Sequence, residues 1–105
     1  MELTVNKKVE STTTTLELIG MLDITTANVI EPYLDEINDI ATLIIDFSKL
    51  DFIDSTGIGA IMNAIYLSQE KNYKIILQGI NELTHHVFET VGLYRILDAV
   101  QGEVS

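Results

Sequence analysis

The sequence predicts an α/β fold, and three observations support this prediction. Two β-type segments open the chain, and segments with helical spacing of apolar residues then alternate with short apolar runs. Alternation of this kind is typical of a sheet covered by helices. The chain has 105 residues, of which 47% are hydrophobic, and this is enough to form one core. We therefore expect a single domain over residues 1–105.

The first two predicted elements are strands. One covers Leu3–Val9, where every second residue shares a face. The other begins in the run of four threonines that starts at Thr12, because threonine favours β geometry. We expect Gly20 to end this second strand.

A helix is predicted from about Thr26, because apolar residues recur at helical spacing after it, and Thr25 or Thr26 can cap it. Pro32 lies inside this segment, so the helix either bends there or becomes regular only after it. The opposite face carries four acidic residues, which we interpret as solvated: Glu31, Asp35, Glu36 and Asp39.

Ala41–Phe47 is a nearly continuous apolar run and is predicted to be a buried strand, followed by a connection over residues 48–53. The next helix runs to about Lys71, since its apolar residues again follow helical spacing: Ile58, Ile61, Met62 and Ile65.

The last third of the chain is predicted to contain a strand over Lys74–Leu77, a helix over Glu82–Val91 and a final strand over Arg95–Val100. Gly92 is a typical stop after that helix. The helix is expected to bury four residues: Leu83, Val87, Phe88 and Val91.

Composition and charge argue against several classes of function. There is no cysteine, which rules out disulfides, thiolate zinc sites and cysteine nucleophiles. The net charge of −10 disfavours nucleic acid and anionic membranes as partners and makes a basic protein surface easier to accommodate. The start of the chain does not resemble a signal peptide, and no apolar run approaches the roughly 20 residues of a membrane span. We expect a soluble cytoplasmic protein.

The segment with distinctive chemistry is Asp54-Ser55-Thr56-Gly57, at the start of a predicted helix. Asp, Ser and Thr are preferred helix N-caps, so the segment can be purely structural. Alternatively, a phosphate on Ser55 would add about −1.5 to −2 charges where helix N–H groups favour anions, and it would disturb any partner resting there. The two interpretations are compatible. Gly57 and Gly59 are expected to let the helix approach the sheet closely.

The region from Phe52 to Gly59, together with Asp46-Phe47-Ser48, resembles the core motif of bacterial anti-sigma factor antagonists, the STAS domain family. Gly20-Met21-Leu22-Asp23 and the following Thr26-Ala27 are similar to a second motif of that family. A third motif resembles the segment from Leu83 to Leu93. The three blocks stand in family order and cover residues from about 3 to 100.

This resemblance implies a mixed four- to five-stranded sheet with helices mainly on one face, and a binding switch without enzymatic activity or a cofactor. Family members of this form act in stress response or sporulation. Unphosphorylated, they bind an anti-sigma factor that is also a serine kinase, which frees the sigma factor; phosphorylation releases them, and a PP2C-type phosphatase resets them. By position, Ser55 is the phosphoacceptor, and the partner-binding residues are Asp23, Asp54, Ser55, Thr56, Gly57 and Ile58. The free protein is expected to be a monomer.

The sequence departs from the family pattern in two places. Met21 stands where an acidic residue is usual, and the chain ends at Ser105, so we expect the C-terminal helix to be short or absent.

Three alternative functions have partial support in the sequence. A serine hydrolase elbow would need a glycine where Ile53 stands, and its only candidate bases are His85 and His86, which are adjacent on a predicted helix. For a dinucleotide site, Met62 replaces the third glycine of the fingerprint. The remaining alternative keeps the fold: a STAS subunit of a stress-sensing assembly or of a transporter complex.

Overall fold

The computed structural model describes residues 2–101. In that part of the chain, four strands and four helices follow in the order β1 (Leu3–Glu10), β2 (Thr13–Leu22), α1 (Ala27–Glu36), β3 (Thr42–Ile53), α2 (Ser55–Glu70), β4 (Lys74–Gln78), α3 (Glu82–Thr90) and α4 (Leu93–Gln101). The strands form one sheet in the order β1-β2-β3-β4. β1 is antiparallel to β2, whereas β2–β3 and β3–β4 are parallel pairs. The predicted mixed α/β fold is confirmed.

The core lies on one face of this sheet, under the helices. Alternate residues of the central strands are fully buried there, among them Leu16, Leu18, Leu43 and Ile45. Residues between them, such as Ile44, are only partly buried. This alternation is expected for a sheet with one covered face.

Strand β2 does not end at Gly20, as the sequence suggested, but continues to Leu22. Gly20 has φ +108° and lies beside an irregularity in the pairing with β3. A Cβ at this position would overlap the backbone oxygen of Glu2. The glycine therefore lets β2 continue past this irregularity, where the extra, unpaired residue lies in β3.

The predicted connection over residues 48–53 is also wrong, because β3 runs without a break from Thr42 to Ile53. The longer β2 provides the pairing partner for this part of β3, with Ile19 opposite Lys49 and Leu22 opposite Ile53. Two register shifts, one after Glu17 and one after Gly20, each absorb one extra residue of β3. Pairing across the sheet thus overrides the polar local sequence.

The predicted final strand over Arg95–Val100 is replaced by helix α4. Leu93 is fully buried, and Ile96, Leu97 and Val100 pack against the core at helical spacing. The described chain therefore ends in a nine-residue helix, where we expected a strand and little beyond it.

Helix α3 buries fewer residues than predicted. Phe88 is fully buried and meets the ring of Phe47 edge-on, with centroids 5.7 Å apart. Leu83 and Val91, in contrast, are 74% and 45% exposed, so their predicted burial is wrong. Packing of α3 is chiefly against α4, which leaves its outer side uncovered.

Helix α1 begins five residues before Pro32, so a late start of the helix is excluded. The acidic residues Glu31, Asp35 and Glu36 of α1 are exposed, as predicted, and so is Asp39, which lies beyond the end of the helix. The end of α1 is held by Lys71, whose Nζ donates to the carbonyl oxygens of Asp35 at 2.9 Å, Ile37 at 3.0 Å and Leu34 at 3.3 Å. A lysine in this position compensates the negative end of the helix dipole.

Across residues 2–101, no helix combines the length and hydropathy needed to cross a membrane.

Candidate functional site

The predicted site residues lie where the parallel strands β2 and β3 end. The turn over residues 23–26 follows β2, and Asp54 follows β3. The Asp54 amide donates to the oxygen of Leu22 at 3.2 Å, which continues the ladder past the last strand pair. The structure therefore brings the Asp23 turn next to the segment that contains Ser55.

Asp54 is the N-cap of α2. Its Oδ1 accepts a hydrogen bond from the Gly57 amide at 2.9 Å, and its backbone oxygen accepts from the Ile58 amide at 2.9 Å. Ser55 is therefore the first residue of the helix and not its cap. Since Asp54 performs the capping, the hydroxyl of Ser55 is not required for it.

The carboxylate of Asp54 also contacts the neighbouring turn. Its second oxygen, Oδ2, accepts a hydrogen bond from the Ile24 amide at 3.1 Å. One side chain thus connects the start of α2 to the segment between β2 and α1.

Ser55 and Thr56 are both exposed. Among the hydrogen bonds formed within residues 2–101, none involves either hydroxyl or the backbone amide of either residue. The first N–H groups of a helix have no partner within that helix, so these two amides are available to an anion bound there.

Gly57 allows the close approach that the sequence predicted. A Cβ at this buried position would overlap the backbone oxygen of Leu22 and lie 2.8 Å from Cγ1 of Ile53. Gly59 has no such role, since a Cβ there would meet nothing within 4 Å. The expectation for Gly59 is therefore wrong.

Asp23 is buried, and its carboxylate is used inside its own turn. Oδ1 accepts from the Thr25 hydroxyl at 2.7 Å, the Thr25 amide at 2.9 Å and the Thr26 hydroxyl at 3.3 Å. The bond from the Thr25 hydroxyl is the main reason that the pKa of Asp23 lies below its usual value. The Thr26 hydroxyl accepts from the Asp23 amide at 2.9 Å and donates to the oxygen of Met21 at 2.8 Å. Neither threonine makes a capping bond to α1.

Two apolar side chains beside the site escaped the sequence analysis. Ile24 is 75% exposed and Phe52 is 48% exposed. Ile58, named above as a partner-binding residue, is in contrast buried in the core. A lone isoleucine directly after Asp23, in an otherwise polar turn, is the local signal that could have drawn attention to Ile24.

The residues of the alternative functions lie elsewhere. His85 and His86 are both exposed on α3, and the Nδ1 atom of His85 is hydrogen-bonded to the hydroxyl of Tyr94 at 2.8 Å. In the part of the chain described, no group of three or more His, Asp or Glu side chains is arranged to hold a metal ion.

The structure is a small α/β domain with a mixed sheet. A serine lies on the first turn of the helix that follows the third strand, and these features define its class. The STAS domain family model matches residues 4–104, and the chain belongs to that family.

Among curated relatives, the anti-sigma F factor antagonist of Paenibacillus polymyxa is 25% identical over 93 residues, which cover 86% of this chain and 80% of that protein. The phosphorylated form of the Bacillus cell fate determinant SpoIIAA superimposes with a TM-score of 0.70 at 23% identity, covering 90% of this chain and 86% of that one. A sulfate transporter family protein from Wolinella succinogenes superimposes with a TM-score of 0.76 at 20% identity, covering 87% of this chain and 75% of that one. The two structural likenesses establish the fold alone.

Proposed function

We propose that this protein is an anti-sigma factor antagonist that phosphorylation of Ser55 switches off. In the unphosphorylated form it binds an anti-sigma factor that is also a serine kinase, and the sigma factor is released. The observation that carries this proposal is the exposed hydroxyl of Ser55 on the first turn of α2. Asp54 caps the helix, so the Ser55 hydroxyl is not used for capping.

The proposed modification is a phosphoryl transfer from ATP held by the kinase. The Ser55 oxygen bonds to the γ-phosphorus while the bond from that phosphorus to the β–γ bridging oxygen breaks, and ADP leaves. The hydroxyl proton passes to a base on the kinase. A PP2C-type phosphatase reverses the change by adding water to the phosphoserine, which restores the hydroxyl and releases inorganic phosphate.

The site can hold a phosphate without unfolding. The amides of Ser55 and Thr56 and the positive end of the α2 dipole stabilise an anion at this position. A partner that fits the unmodified surface, however, would meet a bulky group with about −1.5 to −2 charges. Because the whole chain already carries a net charge of −10, a basic partner surface is the complementary one.

The comparisons support the proposal at the level of the family. The Paenibacillus relative is named as an anti-sigma factor antagonist, and SpoIIAA exists in a phosphorylated form. We propose the same type of regulation for this chain because its Ser55 lies at an unblocked helix start.

The proposal is tested by capturing partners from native lysate on the wild-type protein, Ser55→Ala and Ser55→Asp. We expect wild type and Ser55→Ala to retain a kinase-type ATPase and Ser55→Asp to lose it, with phosphate on Ser55 of wild type in mass spectra. Ser11→Asp is the matched charge control, since exposed Ser11 lies in the β1–β2 turn at the opposite end of the sheet. Equal retention by Ser55→Asp and Ser11→Asp would contradict the proposal.

A second candidate function is that of a STAS subunit in a transporter or sensory complex, since a sulfate transporter family protein has the same fold. In that case the captured partner would be a transporter component or a multi-subunit assembly, and its retention would not depend on Ser55.

A further inference from the structure

We propose that Asp54 is a positioning residue through which a phosphate on Ser55 alters the turn over residues 23–26. The physiological role of this coupling rests on the proposed function, whereas the coupling itself depends only on an anion at Ser55.

The geometry gives Asp54 two simultaneous tasks. Oδ1 accepts from the Gly57 amide at 2.9 Å inside α2, and Oδ2 accepts from the Ile24 amide at 3.1 Å in the turn. A carboxylate can do both because each of its oxygens is an acceptor. The Ile24 side chain is 75% exposed.

A phosphate on Ser55 would stand one residue from this carboxylate. The two anions repel each other, and they compete for the same few N–H donors at the start of α2. The Gly57 amide is held within the helix, whereas the Ile24 amide belongs to a separate segment. The bond from the Ile24 amide is therefore the one that weakens, and the backbone that presents Ile24 loosens.

The coupling reaches a surface that a partner can touch. The carboxylate of Asp23 is engaged by Thr25 and Thr26, and Ile24 is the exposed apolar side chain that this turn offers to a partner. Phosphorylation would thus change the binding surface in two places: at Ser55 by charge and at Ile24 by loss of a fixed backbone position.

The test is amide hydrogen exchange, followed by NMR, of the wild type, Ser55→Glu and Asp54→Asn. Asparagine is as good an N-cap as aspartate, but its amide has one acceptor oxygen, so Asp54→Asn can keep the cap while losing the bridge. We expect Ile24 exchange to be about 10-fold faster in both variants, as for loss of a hydrogen bond to a charged acceptor. Asp51→Asn, which removes an exposed charge three residues from Asp54, is the control and should leave Ile24 unchanged.

The Ala27 amide, which donates to the oxygen of Asp23 at 2.8 Å, reports on general loosening of the same turn. Unchanged exchange at Ile24, or equal acceleration at Ile24 and Ala27, would overturn the proposal. Ser55→Glu supplies the anion without a kinase. A failure of the coupling is therefore distinguishable from a failure to find Ser55 phosphorylated.

Discussion

Two glycines in the first turns of α2 should respond to the same substitution with opposite signs. Alanine at Gly57 would place a Cβ against the backbone oxygen of Leu22 and 2.8 Å from Cγ1 of Ile53. The carbonyl belongs to β2 and cannot turn away as a flexible side chain could. Alanine at Gly59 would meet nothing within 4 Å.

The magnitudes follow from this difference. At Gly59, alanine gains about 1 kcal/mol of helix propensity at no steric cost. At Gly57 the same gain is opposed by forced displacement of α2, and overpacking of this kind costs about 1–3 kcal/mol. The shift also strains the cap bond from the Gly57 amide to Asp54, and a lost cap costs about 1 kcal/mol. We expect Gly57→Ala to lower the free energy of unfolding by roughly 1–3 kcal/mol.

Thermal unfolding followed by circular dichroism measures both variants. For a chain of 105 residues, 1 kcal/mol corresponds to about 4–5 °C in Tm. Gly59→Ala should melt about 4 °C above wild type and Gly57→Ala about 5–15 °C below it. A Gly57→Ala protein that melts at or above the wild-type Tm would refute the contact argument.

Three further predictions concern stability and ionisation. Lys71→Met should lower the free energy of unfolding, measured by urea denaturation, by about 1.5–3 kcal/mol, because it removes the charged donor to the last carbonyls of α1. Lys74→Met, at an exposed lysine, should have little effect. Phe88→Ala should cost about 3–5 kcal/mol, since its side chain is fully buried, and a loss under 1 kcal/mol would contradict the packing of α3. In NMR titrations, Asp23 should ionise below its usual pKa, and Thr25→Val should raise that pKa. Because the pKa of Asp23 is lower in the folded state than in the unfolded state, its ionised carboxylate stabilises the fold. This stabilisation is complete above the unfolded pKa of about 3.9 and is lost as the pH falls through the pKa of the folded state.

Predictions from the sequence succeeded where local periodicity and burial agree. Helix α2 and strand β4 follow apolar patterns that neighbouring elements reinforce. The end of α2 and both ends of β4 were predicted to within one residue. The Asp-Ser-Thr-Gly segment was likewise placed correctly at the start of α2.

The errors arose where the deciding contact comes from a distant part of the chain. Residues 48–53 are polar enough to suggest a connection, yet they form strand because β2 extends alongside them. Leu83 and Val91 fit a helical apolar stripe, but α3 packs chiefly on α4 and leaves them exposed. Local patterns give the direction of a side chain on its own element and do not give what covers it.

By itself, the sequence determined the class of fold, the order of most elements and the position of Ser55 at a helix start, because these depend on spacing along the chain. Only the tertiary structure decided which residue caps that helix, since Ser55, Thr56 and Asp54 all suit the role chemically. It also decided that the second oxygen of Asp54 reaches the Ile24 amide, 30 residues away in sequence. That bond exists because parallel strands bring their carboxyl ends to one edge of the sheet, a proximity that no local pattern encodes.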